Sequence, residues 1–175
     1  EIDVKLIKNK IKELCIEANI YLPSDITSSL NERLKNEDGD LAKDILGDII
    51  KNYTLAENRK IPVCQDTGLA CVFLEIGQDV HFVGGNLNEA VNDGVREGYK
   101  QGYLRKSVVL DPVLRGNTGD NTPAMLYTEI VSGDKVKITV APKGFGSANM
   151  SQIKMLKPSD RVEGIKNFVL KVIED

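Results

Sequence analysis

The sequence has no tryptophan, one histidine, three cysteines and only 5% aromatic residues among its 175 positions. The cysteines, at positions 15, 64 and 71, are odd in number and form no CxxC pair. No apolar run approaches the length that spans a membrane, and the first residues lack the charged and then apolar design of a signal peptide. We therefore expect a cytoplasmic protein without a disulfide framework.

The remaining composition is typical of an ordinary globular protein. Hydrophobic residues make up 41% of the chain and charged residues 28%, enough for a core built mostly of Ile, Leu and Val. A formal net charge of −3 argues weakly against a nucleic-acid binder. We predict a single domain over residues 1–175, with N-terminal helices over 1–58 and a site-bearing α+β part over 59–175.

Hydrophobic periodicity predicts the elements of this domain. Before residue 60, apolar residues recur at helical spacing, which predicts helices over 3–19, 24–34 and 41–57. Later runs rich in strand formers predict a hairpin of strands 69–76 and 80–83, a helix over 87–102, a second hairpin of strands 124–131 and 135–141, and a closing helix after residue 160. We expect Cys15 and Cys71 to be core residues.

This order of elements predicts an α+β fold. An N-terminal helical segment is followed by a mixed, largely antiparallel sheet with packed helices, and strand and helix do not alternate strictly. In the last predicted strand, apolar residues alternate with Lys135, Lys137 and Thr139, so we expect one face of the sheet to meet water.

Residues 62–68, with the sequence PVCQDTG, are the richest stretch for chemistry. A cysteine that binds a metal does so as a thiolate, which suits iron–sulfur clusters, zinc or copper. Gly68 tolerates a positive φ and can turn the chain, so that Cys64, Gln65 and Asp66 could share one pocket wall. The alternative is that Cys64 is a small buried apolar residue, as free cysteines commonly are.

Two further loops carry unusual polar residues, over 105–123 and 142–151. Arg105 follows a predicted helix, where it either complements the helix dipole or grips a carboxylate with its planar fork. The glycine-rich turn over 142–151 is either an ordinary loop or an anion-holding nest, and its spacing fits neither a P-loop nor a dinucleotide motif. His81 has no ligand-spaced companion, and we interpret it as a structural or surface residue rather than a metal ligand.

Together these stretches resemble one known family. Residues 61–68 are similar to the cluster-binding turn of class I fumarate hydratases and of the related tartrate dehydratase alpha subunits. Four further segments match the same family in the same order, at residues 74–80, 102–107, 117–124 and 141–147. The resemblance covers essentially the whole chain and implies an iron–sulfur hydro-lyase.

The resemblance also implies roles for individual residues. Cys64 would be one of three cysteine ligands of a 4Fe–4S cluster. Gln65 and Asp66 would contact the substrate, Arg105 would grip a carboxylate, and the backbone of Gly146 would contact the substrate as well. Asp66 and Arg105 would be the catalytic residues of this chain, with Asp66 assisting a base that comes largely from the missing part of the subunit. The implied substrate is a small 2-hydroxy-dicarboxylic acid, with malate and fumarate as the first choice and tartrate as the second.

The sequence departs from the family pattern in ways that matter. Cys15 and Cys71 lie outside the ligand motifs, so this chain supplies one ligand, and we expect it to be the N-terminal part of a longer alpha subunit. That part alone would hold no cluster and would be inactive. Its implied partners are the rest of the subunit, a beta subunit or domain and further copies of itself. Tyr127 stands where relatives carry a histidine, and Arg161 stands where they carry a glycine.

Two other functions remain open from the residues. One is a non-catalytic binding or assembly module that has kept the fold. The other is a thiol-nucleophile enzyme using Cys64, which is disfavoured because His81 lies across a predicted strand.

Overall fold

In a computed structural model, residues 1–174 are described, except for the side chains of residues 147 and 148. The chain divides into two compact units, Glu1–Gly144 and Phe145–Asp175. Each unit is described below by itself, and the single domain over 1–175 stays a prediction.

The predicted helices and strands are present with small shifts of their ends. The first unit contains α1 (Val4–Ile20), α2 (Ser24–Asn36), α3 (Asp40–Arg59), α4 (Leu87–Gln101), β1 (Ile2–Asp3), β2 (Leu69–Gly77), β3 (Phe82–Val83), β4 (Met125–Val131) and β5 (Val136–Lys143). The second unit contains a short helix α5 (Gly146–Asn149), a 3-10 turn (Pro158–Asp160) and α6 (Arg161–Glu174).

The main sheet has three strands, with β2 in the centre. Its neighbour β4 runs parallel to it and β5 runs antiparallel. Strands β1 and β3 form a separate parallel pair. The α+β class with a mixed sheet is confirmed, while parallel pairing has a larger share than we expected.

Both predicted hairpins are wrong. Strand β2 lies between β4 and β5, and the turn that joins those two strands passes over the end of β2. There the amide of Gly77 donates to the carbonyl of Lys135 at 2.8 Å, and a Cβ on Gly77 would lie 2.4 Å from the carbonyl oxygen of Gly133. Strand β3 pairs with β1 rather than with β2, because the chain turns at Val80 and the amide of Ile2 then donates to the carbonyl of His81 at 2.9 Å.

The core lies between one face of the main sheet and the helices α1 and α4. It combines alternate residues of β2 with the inner faces of the two helices, namely Ile7, Ile11, Cys15, Ala70, Val72, Leu74, Ile76, Val91, Val95, Tyr99 and Leu104. Burying an aliphatic side chain of this size stabilises the fold by about 1.5–3 kcal/mol. The prediction of a core position is confirmed for Cys15, which is 0% exposed.

Helices α1 and α4 approach closely because glycines line their contact. A Cβ on Gly94 would lie 2.6 Å from the carbonyl oxygen of Lys8, and one on Gly98 would lie 2.9 Å from the Cβ of Cys15. No larger side chain fits at either position without moving a helix.

The opposite face of the sheet meets water, as the alternation in the last strand predicted. Cys71 lies on this face and is half-buried, so the prediction that it is a core residue is wrong. Beside it, Tyr127 stacks on Phe73 with ring centroids 5.0 Å apart, and Lys137 pairs with Glu75 at 2.7 Å. Tyr127 therefore makes an aromatic contact on the outer face, away from the helices.

In the second unit, Arg161 begins α6 with φ of 48° and ψ of −154°. This conformation is costly for any residue except glycine, in agreement with the glycine that the resemblance places there. Among the described residues, none of the helices is long and apolar enough to cross a membrane.

Candidate functional site

The turn over 62–68 is held in place at both ends. At its start, the amide of Val63 donates to the carbonyl of Asn19 at 2.9 Å, and the side chain of Asn52 donates to the carbonyl of Val63 at 2.8 Å. At its end, Thr67 is buried and its carbonyl accepts a 2.7 Å hydrogen bond from the hydroxyl of Tyr99. Hydrogen bonds to residues of helices α1, α3 and α4 thus hold both ends of this turn against the folded part of the first unit.

Cys64 lies at the exposed centre of the turn, so its interpretation as a buried apolar residue is wrong. Its thiol donates to Oε1 of Gln65 at 3.3 Å, and its sulfur accepts the amide of Asp66 at 3.4 Å.

Asp66 is half-buried, and its carboxylate closes the turn. Oδ1 accepts the amide of Gly68 at 3.0 Å, and Gly68 has the predicted positive φ, 60°. A Cβ on Gly68 would lie 2.3 Å from the carbonyl oxygen of Lys143, so glycine is required for contact as well as for conformation. A Cβ on Gly144 would lie 3.1 Å from Oδ2 of Asp66. The end of β5 therefore lies against the Asp66 turn.

The segment that carries Arg105 lies against the same turn. The hydroxyl of Thr67 donates to the carbonyl of Arg105 at 2.9 Å. The Arg105 side chain is exposed, and none of the ion pairs between described residues uses it. The structure thus brings the Cys64 turn and the Arg105 segment together, with a guanidinium available for an anion.

Local hydrogen bonds shape the rest of the 105–123 loop. Oδ1 of Asp111 accepts the amides of Val113 and Leu114 at 2.8 and 2.7 Å. Asp120 accepts Nε of Arg96 at 2.8 Å and the hydroxyl of Thr122 at 2.7 Å. Burial by itself would raise the pKa of Asp120, but the hydrogen bonds from Arg96 and Thr122 outweigh it and hold the pKa at about 2.

Gly146 belongs to the second unit, where it is exposed and begins α5. The geometry of its predicted contact with substrate is therefore not part of the arrangement described above. His81 is exposed and directly precedes β3.

The described residues do not form a complete metal site. They contain no group of three or more His, Cys, Asp or Glu side chains that could hold a metal ion. Burial raises the pKa of the Cys15 thiol to about 12 and raises the pKa of Cys71 as well, so both thiols disfavour the ligating thiolate. Among the three cysteines, Cys64 is the exposed one.

Several residues that sequence reasoning missed support this site. Tyr99, Thr67, Asn52 and Asn121 hold the turn through side-chain hydrogen bonds. Thr67 and Asn121 had a signal in the sequence, since each lies in a matched segment, but their contacts with Arg105 and Gly68 join residues 38 and 53 positions apart.

Comparison with known proteins identifies the family of this chain. The family model described as Fumarate hydratase (Fumerase) matches residues 8–175, and the chain belongs to this family. Over 173 residues it is 42% identical to a Methanocaldococcus jannaschii protein provisionally named L(+)-tartrate dehydratase subunit alpha, a match that covers 95% of this chain and 60% of the relative.

Two Escherichia coli K12 proteins are also similar. The L(+)-tartrate dehydratase subunit alpha is 29% identical over 155 residues, covering 87% of this chain and 51% of that protein. The anaerobic class I fumarate hydratase is 34% identical over 125 residues, covering 70% of this chain and 23% of that protein. The chain thus spans 60% or less of the length of each of these relatives.

Proposed function

We propose that this chain is the N-terminal part of the alpha subunit of an iron–sulfur hydro-lyase that reversibly dehydrates a small 2-hydroxy-dicarboxylic acid in the cytoplasm. The observation that supports this best is the contact between the Cys64 turn and the Arg105 segment, through Thr67. Membership of the fumarate hydratase family supports the reaction class. The names of two relatives as alpha subunits support a partner subunit, and we expect a homo-oligomer of the assembled enzyme.

Each polar group of the two segments has a role in this proposal. Arg105 holds one carboxylate of the substrate, since its planar fork matches a carboxylate bidentately. Gln65 donates through its amide nitrogen to a substrate oxygen, and Asp66 holds or moves a proton at the substrate hydroxyl or the adjacent carbon. The backbone of Gly146 supplies a further substrate contact.

The cofactor completes the site only with residues from outside this chain. A 4Fe–4S cluster, when bound, would supply a Lewis acid that assists loss of the substrate hydroxyl. Cys64 would hold it as one ligand, and one ligand does not retain a cluster. We therefore expect the isolated chain to be inactive, and to show no stable cluster absorbance after anaerobic reconstitution with iron and sulfide. Stable absorbance and turnover by the isolated chain would contradict this expectation.

The roles are tested in the full-length alpha subunit assembled with its partner. We expect Arg105→Gln to raise KM for malate more than tenfold, because a carboxylate loses a charged bidentate partner. Lys106→Gln is the matched control, since Lys106 is the neighbouring exposed cation. Asp66→Asn should lower kcat, and Cys64→Ser should lower the iron content.

The rival function is a non-catalytic assembly module, and it would tolerate all three site changes with activity unaltered. The choice of substrate is a separate question. L-tartrate is the second candidate, favoured by the names of two relatives. Comparing kcat/KM for malate, fumarate and L-tartrate in the assembled enzyme decides between them.

A further inference from the structure

Asn121 is the most completely enclosed polar side chain of the polar loop over 105–123. It is 0% exposed and adopts the left-handed conformation with φ of 63°. Asparagine tolerates this conformation better than most residues, which accounts for the residue type but not for the burial of its side chain. Burying an amide group costs free energy unless its donors and its acceptor form hydrogen bonds. The partners of those hydrogen bonds therefore indicate the role of this side chain.

The side-chain amide of Asn121 is satisfied on both ends. Its oxygen accepts the amide of Ser107 at 2.6 Å and the amide of Val108 at 3.2 Å. Its nitrogen donates to the carbonyl of Gly68 at 3.1 Å. One side chain thus binds the backbone of two segments that lie far apart in sequence.

These two segments are the ones that carry the proposed substrate contacts. Gly68 is two residues after Asp66, and Ser107 is two residues after Arg105. In the described part of the chain, no strand pairing joins the segments, and the hydrogen bonds between them come from the side chains of Thr67 and Asn121.

We propose that Asn121 is a positioning residue that sets the distance between Arg105 and the Cys64 turn. At this distance Arg105 binds one end of a dicarboxylic acid while the Cys64 turn binds the other end. This inference rests on the proposed function. A rigid connection is needed because a ligand bound at both ends loses affinity when its two binding groups shift by a fraction of an ångström. Asn121 itself touches no substrate in this proposal.

The amide chemistry makes a specific substitution informative. Asn121→Asp keeps an acceptor for Ser107 and Val108 but removes the donor to Gly68 and places a carboxylate against that carbonyl oxygen. The matched control is Asn117→Asp in the same loop. Asn117 is exposed, and its side chain bonds to the backbone of Lys106 and Gly119 rather than to the Cys64 turn.

The experiment uses the full-length alpha subunit with its partner and two competitive inhibitors, succinate with two carboxylates and propionate with one. We expect Asn121→Asp to raise KM for malate and the inhibition constant of succinate about tenfold or more. The inhibition constant of propionate should change less than twofold, because its single carboxylate needs only one of the two binding groups. Asn117→Asp should leave all three values within twofold. A merely structural role would weaken both inhibitors alike or neither, and either result overturns the proposal.

A second variant keeps the test valid if Asn121→Asp fails to fold. Thr67→Val removes the other tie, to the carbonyl of Arg105, at constant size. It should likewise weaken succinate more than propionate, and equal effects on both would refute the proposal. Failure of the proposed function has a different signature, since Arg105→Gln would then leave KM for malate unchanged with Asn121 intact.

Discussion

The contact between α1 and α4 supports the site, and Gly94→Ala tests how tightly it is packed. The added Cβ would lie 2.6 Å from the carbonyl oxygen of Lys8 and 3.0 Å from the Cβ of Ile11. The carbonyl belongs to the backbone of α1 and cannot rotate away, so the helices must separate. Such overpacking costs about 1–3 kcal/mol.

A second glycine in a helix provides the control for this prediction. Alanine is favoured over glycine inside a helix by about 1 kcal/mol, and this gain applies to both sites. In α3, a Cβ on Gly47 would meet nothing within 4 Å, so Gly47→Ala should stabilise the protein by about 1 kcal/mol. Gly94→Ala should be less stable than Gly47→Ala by about 1–3 kcal/mol, the cost of overpacking.

The measurement is the free energy of unfolding in urea at neutral pH, followed by far-UV circular dichroism for the wild type and both variants. Equal stabilisation by the two alanines would refute the close packing of α1 on α4. A loss of stability in Gly47→Ala alone would refute the propensity argument instead.

Three further predictions concern titration and backbone strain. The pKa of the Cys15 thiol is 9.0 without burial and about 12 in the fold. Its contribution to stability is therefore complete below pH 9 and falls as the pH rises, by about 1 kcal/mol at pH 10. Cys15→Ala should reduce the difference in unfolding free energy between pH 7 and pH 10 by that amount. Asp120, with its pKa lowered to about 2, stabilises the fold above pH 4 and loses this effect as the pH falls toward 2, so acid unfolding of Asp120→Asn should depend less on pH over that range. Arg161→Gly should raise the stability of the second unit by about 1 kcal/mol, because glycine adopts the positive φ of this position without strain. We expect slower amide hydrogen exchange in α6 of the variant, and unchanged or faster exchange would contradict the prediction.

Local patterns predicted the elements well and their pairing poorly. In the first unit, the bounds of six elements agree within a few positions with those predicted from the periodicity of their residues: α2, α3, α4, β2, β4 and β5. Both predicted hairpins are wrong because strands that follow each other in the chain do not pair in the fold. Strand β2 is inserted between β4 and β5, and the contact that allows this, Gly77 against Gly133, is not visible in the residues near either glycine.

Residue types and short spacings were enough to indicate the family, the helices and strands, the burial of Cys15, and the turn in which Cys64, Gln65 and Asp66 stand together. The folded chain was needed to show that this turn lies against the Arg105 segment, that Cys64 is exposed and Cys71 half-buried, and that Tyr99, Thr67 and Asn121 hold the arrangement. Buried polar groups must find hydrogen-bond partners, and here those partners come from residues far apart in the chain, where no local pattern reveals them.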